Sequence, residues 1–182
     1  RGKGTLLDRG THVPLMIRWP GRVDSGSNST ALVCGTDLGP TILAACGMRP
    51  LTKMTGISFL PQLLGDKSEG REYVFAERGW HWGPITRTDG LDLSRSVTSY
   101  RYRYIYNALP NRSYTPVDMA GKDAWQAIQV AHAANELSPL HQRLYMMNPR
   151  PIIELYDLRN DPLEINNLAG ENKVAEIERT LR

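Results

Sequence analysis

The sequence predicts an α/β chain in two unequal parts: the end of a parallel-sheet domain over residues 1–65, then a small α+β subdomain over 66–182 with an antiparallel sheet and packed helices. Three observations carry this reading. Val13 to Trp19 is a nearly unbroken apolar run, the pattern of a strand covered on both faces. Arg95 to Ser99 and Tyr102 to Tyr106 read as two strands of a hairpin turning near Tyr100-Arg101, with Tyr102, Tyr104 and Tyr106 on one face. The change from the first pattern to the second falls near Asp66.

Taken in order, Pro20-Gly21 ends the first strand and a polar loop follows. Asp37 is placed as a helix N-cap, Pro40 lies in the first turn, Ile42 to Ala45 form the body and Gly47 stops it. A shorter helix is expected over Ser58 to Leu64, capped by Ser58 with Gly65 behind it. This part holds one strand, so the other strands of its sheet are expected from outside the chain. Beyond Asp66, Tyr73 to Glu77 reads as a strand ahead of the hairpin, and residues 107–122 read as irregular. Trp125, Ile128 and Ala131 then make a helical stripe, and Ser138-Pro139 is a cap followed by a first-turn proline. Ile152 to Leu158 gives one more strand, and Asn172 to Arg182 places Val174, Ile177 and Leu181 on one helical side.

Composition narrows the function classes. With 41% hydrophobic and 23% charged residues over 182 positions, the chain has ordinary globular composition with enough length for a core. No apolar run approaches the roughly 20 residues of a membrane span, and the first residues have no signal-peptide succession. The net charge of +3 is spread along the chain without a basic stripe, which fits a small anionic substrate better than nucleic acid. Cys34 and Cys46 make no disulfide framework or C-x-x-C pair and read as small buried apolar residues.

Two stretches are candidates for chemistry. In Gly2-Lys3-Gly4-Thr5 the flanking glycines leave the lysine side chain unhindered, which suits a contact with an anion; a solvated terminal lysine is the alternative on spacing alone. In Gly79-Trp80-His81-Trp82-Gly83 two indoles bracket a histidine between glycines just after a strand. Such a loop can stack on a sugar and bond its hydroxyl or sulfate groups, or it can serve as an apolar anchor. Asn160-Asp161 precedes a proline, so turn chemistry accounts for it without a metal. His132 and His141 fall in helical patterns and read as surface or satisfied core residues.

Gly2-Lys3-Gly4-Thr5-Leu6, Asp8-x-Gly10, Val13-Pro14 and Trp19-Pro20-Gly21 together resemble the sulfatase pattern G-K-G-T-L-x-E-G-G-x-R-V-P, apolar strand, W-P-G. Asp8 stands where the pattern has glutamate, Arg9 where it has glycine and His12 where it has arginine. The similarity continues through Asp37-Leu38-x-Pro40-Thr41, Gly56-x-Ser58-x-Leu60, Leu64-Gly65, the Arg95 to Asn107 hairpin and the segment from Glu154-Leu155-Tyr156-Asp157-Leu158 through Asp161-Pro162-x-Glu164 to Asn166-Asn167-Leu168-Ala169. The succession resembles the C-terminal part of a type I, formylglycine-dependent sulfatase of the alkaline phosphatase superfamily.

That resemblance implies a sulfatase-like α/β domain ending in this chain, and hydrolysis of sulfate esters or sulfamates on a glycan by the intact enzyme. It maps a sulfate-contacting catalytic lysine onto Lys3, and assigns Trp80, His81 and Trp82 to the sulfated saccharide substrate. The family's nucleophile is a formylglycine made within C/S-x-P-x-R, and its calcium ion is held by aspartates and an asparagine. Neither cysteine nor any serine here stands in that motif, so nucleophile and calcium ligands are expected upstream of Arg1. The expected partner is accordingly an N-terminal catalytic part of the same protein, with no metal site in this chain and no turnover by it alone. Family resemblance points to a periplasmic, secreted or lysosomal setting. Two other readings stay open: a phosphodiesterase or phosphonate hydrolase of the same superfamily, and a stand-alone sulfated-glycan-binding module.

Overall fold

The computed structural model describes residues 2–66, 70–80, 91–114 and 121–182. They form two compact units, one of Pro14–Val74 and one of Arg1–Val13 with Phe75–Arg182.

The unit Pro14–Val74 is built on helices α2 (Leu38–Ala45) and α3 (Leu60–Leu63). Helix α2 ends where expected: Gly47, at φ +73°, takes the left-handed conformation past its last turn and donates its N–H to the Ala44 carbonyl. Asp37 precedes α2 as expected, but its side chain caps nothing there. The carboxylate accepts the Cys34 N–H at 2.9 Å and the Ile57 N–H at 2.7 Å, and Arg71 grips both oxygens, with Nε at 2.7 Å. The aspartate ties three chain segments together instead of satisfying one helix end. Thr41 continues the tie, donating to the Asp37 carbonyl and accepting the Phe59 N–H at 3.0 Å. Gly56 passes so close to Thr36 that a Cβ would lie 1.9 Å from its carbonyl oxygen, which excludes every other residue.

Two expectations fail in this unit. Val13 to Trp19 is not a strand: Val13 is 69% exposed and Met16 90%. A strand exists through a partner's ladder, and among the described residues none pairs with this run, so its apolar pattern has nothing to cover it. Cys46 is exposed and Cys34 only half-buried, its thiol 2.9 Å from the Thr36 hydroxyl.

The other unit carries a four-stranded sheet in the order β1 (Val74–Trp80), β2 (Leu91–Thr98), β3 (Tyr102–Asn107), β4 (Ile153–Asp157). The expected hairpin is present, antiparallel, with Ser96 opposite Ile105; β4 pairs antiparallel with the far side of β3, placing Ile105 opposite Glu154. Alternation gives the sheet two unlike faces. Tyr104, Val97 and the fully buried Leu155 share one face, where Arg182, at the end of α6 (Ala175–Leu181), bonds Tyr104. Of the tyrosine row, Tyr104 alone is buried and Tyr106 is exposed. The opposite face presents Asp92, Ser94, Ser96, Thr98, Arg103 and Asn107, all buried. Leu6 and Leu7 cluster over it with Ile105 and Tyr156. Helix α4 (Asp123–Ala133) buries Trp125 beside Tyr114 and Tyr145, and α5 (Pro139–Tyr145) starts at the expected cap, Ser138, whose hydroxyl accepts the His141 N–H.

Candidate functional site

Lys3 lies on a turn closed by the Thr5 N–H donating to the Gly2 carbonyl at 3.0 Å, and the Thr5 hydroxyl reinforces it at 2.7 Å. Gly4 sits third in this turn at φ +80°, a conformation that L side chains avoid. The glycine after the lysine is thus a backbone requirement, and Lys3 is held at an exposed corner. Short helix α1 (Asp8–Thr11) follows at once. Its Gly10 lies against the turn: a Cβ there would meet the Thr5 carbonyl oxygen at 2.2 Å and the Gly2 carbonyl oxygen at 2.7 Å. Gly4 and Gly10 thus have separate tasks, one bending the turn and one letting α1 pack against it.

Helix α1 has no side-chain cap of its own, because Leu7 stands at the N-cap. The Asp8 N–H instead donates to Glu164 Oε2 at 2.7 Å. Glu164 is 2% exposed, and its other oxygen accepts from Arg103 Nη1 at 2.8 Å. Arg103, 3% exposed, also donates to Asp8 Oδ1 at 3.2 Å and to the Thr98 hydroxyl at 2.9 Å. Burial pushes the Glu164 carboxyl above the usual carboxylate range, and the Arg103 charge and Asp8 N–H pull it only part of the way back. Asp161-Pro162-Leu163-Glu164 forms a turn, with the Glu164 N–H on the Asp161 carbonyl at 2.9 Å, and leaves Glu164 at φ +53°. A buried glutamate in that left-handed region is held against its own preference by what surrounds it.

Neither Arg103 nor Glu164 stood out in the sequence as part of a site. The available signal was a charged residue at an inward-facing position of an alternating strand, where a lone cation needs a buried acid. Asn160-Asp161 is used in turns: Asn160 Nδ2 donates to Asp157 at 2.9 Å, and Asp161 accepts the Asn166 N–H at 2.7 Å. Among the described residues no three His, Cys, Asp or Glu side chains converge as a metal-binding set.

Trp80 ends β1 and is 64% exposed. His81 and Trp82 lie outside the described residues. A cavity of about 460 Å³ opens on the polar sheet face, its wall including Arg78, Asp92, Arg150 and Glu154. Arg150 grips Asp92 through both terminal nitrogens, at 2.6 and 3.1 Å, and Arg78 approaches the same carboxylate at 3.2 Å. Thr5 to Leu7 form part of the wall, but Lys3 and Trp80 do not.

Residues 2–119 match the family described as "N-sulphoglucosamine sulphohydrolase, C-terminal". The chain belongs to this family. It is 29% identical over its full length to an ulvan-active sulfatase of Formosa agariphila, and 31% identical over 93% of its length to a second one from that organism. It is 30% identical over 92% of its length to the N-acetylglucosamine-6-sulfatase of Capra hircus. The chain spans about 30% of the length of these relatives. A solved structure described as bound to its substrate D-glucosamine-2-N,6-O-disulfate shares the fold, with TM-score 0.57 and 17% identity over 90% of this chain and 25% of that one. The chain therefore corresponds to the C-terminal part of its sulfatase relatives, and the helices with a four-stranded sheet are the α/β arrangement that the motifs imply.

Proposed function

We propose that the whole protein hydrolyses sulfate esters or sulfamates of a glycan, with Lys3 as a contact to the transferring sulfate. The observation that carries this reading is the turn at Gly2 to Thr5, which holds an ammonium-bearing side chain at an exposed corner within the motif that the family relationship makes meaningful. A fixed cation beside the sulfate oxygens offsets charge that develops as the ester bond breaks. We assign residues 1–65 to the end of the large α/β domain and 66–182 to the small subdomain of that protein.

We place the formylglycine nucleophile and the calcium ligands of the whole protein outside this chain, since neither cysteine nor any serine here stands in C/S-x-P-x-R. Lys3→Ala in the whole protein is expected to cost about 2 to 4 kcal/mol of transition-state stabilisation, read as kcat/KM on a chromogenic aryl sulfate, with an unchanged melting temperature. Parental kcat/KM would return Lys3 to a solvated corner.

The segment Gly79 to Gly83 is assigned to the sugar, on the exposed Trp80 at the end of β1 and the residue types around it. His81→Ala should then lower kcat/KM on a sulfated oligosaccharide by roughly tenfold and leave a small aryl sulfate untouched, since a remote contact helps only substrates that reach it. Equal losses on both substrates would defeat the assignment.

A further inference from the structure

We infer that Glu164, with Arg103, is a positioning residue for Lys3: a buried carboxylate from the far end of the chain seats the helix against which the lysine-bearing turn is packed. The inference rests on the sulfate-contact reading of Lys3 and adds a mechanism for its placement.

Glu164 supplies the cap that α1 lacks, through the Asp8 N–H at 2.7 Å. Arg103 holds Glu164 and the Asp8 side chain together, so Asp8 is gripped by backbone and side chain at once. Two residues along α1, Gly10 lies under the Gly2 and Thr5 carbonyl oxygens, with too little space for even a methyl group. Those are the carbonyls at the two ends of the lysine turn, which the Thr5 N–H closes. A shift of α1 therefore moves the corner that carries Lys3, because close-packed backbone cannot absorb the displacement.

The cost of the arrangement argues for its use. Glu164 is buried and takes a left-handed backbone conformation, and a neutral cap would hold a four-residue helix without a buried charge. A local cap would fix only the helix. The carboxylate from the Asp161 turn fixes the helix relative to the sheet, through Arg103 on β3 and Thr98 on β2. Reacting groups lose rate steeply with small misplacements, which is the service such a brace performs.

The test is a double-mutant cycle in the whole protein, with kcat, KM and melting temperature read on a chromogenic aryl sulfate. Glu164→Gln keeps the shape, but its single carbonyl oxygen serves either Asp8 or Arg103, not both. Arg103→Lys removes the fork and leaves Glu164 charged. Each is expected to lower kcat about tenfold with a smaller change in KM, and to cost less than about twofold when Lys3 is already alanine, because a residue acting through Lys3 has nothing left to position. The variant that melts within a few degrees of the parent is the one read. A loss of the same size with Lys3 present or absent would show a general structural role and overturn the inference while leaving the Lys3 reading intact, as would an unaltered kcat in a well-folded variant. Full activity in Lys3→Ala alone would defeat the sulfate-contact reading, and the inference with it.

Discussion

Each unit of the molecule has a buried carboxylate, and their pKa values are shifted in opposite directions. Asp37 and Glu164 are both nearly inaccessible, both paired with arginine and both acceptors of backbone N–H groups. Burial pushes the Asp37 carboxyl up, but Arg71 on both oxygens and the N–H groups of Ile57 and Cys34 outweigh it and hold it at about 2. At Glu164 burial prevails. At Asp37 a whole guanidinium and two amides converge on one acid, whereas the arginine at Glu164 also serves Asp8 and Thr98 and a second carboxylate lies nearby.

The largest effect that would break this comparison is at Asp37. Asp37→Ala strands Arg71 and two amide donors and should destabilise the Pro14–Val74 unit by about 3 to 5 kcal/mol, read by denaturant unfolding of the whole protein with amide exchange over residues 34–59. Glu164→Gln should cost less, since its hydrogen bonds are half retained. The reverse order would mean that a guanidinium on both oxygens does not decide the matter.

A smaller effect sharpens the comparison through pH. The Asp37 carboxyl is held below its ordinary 3.8, so its stabilisation is fully present above that pH and is lost as the pH falls through about 2. Asp157, held at about 2 chiefly by Arg101, adds to the same loss in the other unit. Glu164 has the opposite sign: its pKa is raised above 4.5, so stability is present below that value and lost as the pH rises through the shifted one. Denaturation midpoints between pH 2 and 7 should therefore show Asp37→Asn flattening the acid side of the profile and Glu164→Gln flattening the region above pH 4.5. A flattened acid side in Glu164→Gln would reverse the direction assigned to its shift.

Much of this was legible in neighbouring residues. The Ser138 cap, the glycine behind α2 and the hairpin alternation all depend on residues within about four positions, where sterics and local hydrogen bonds decide, and each was found as expected. What the sequence left open was decided by residues far apart. Val13 to Trp19 has the pattern of a strand but no strand forms, because the pattern states a capacity for burial and only a partner supplies the ladder. Asp37 has the position of a cap, yet its carboxylate bonds Ile57, 20 positions away, and Arg71, 34 away. Glu164 looks like part of a turn and becomes the cap of a helix 156 positions upstream. Burying a charge carries a penalty that only a complementary donor can offset, and which donor arrives is a property of the assembled fold, invisible to any local window.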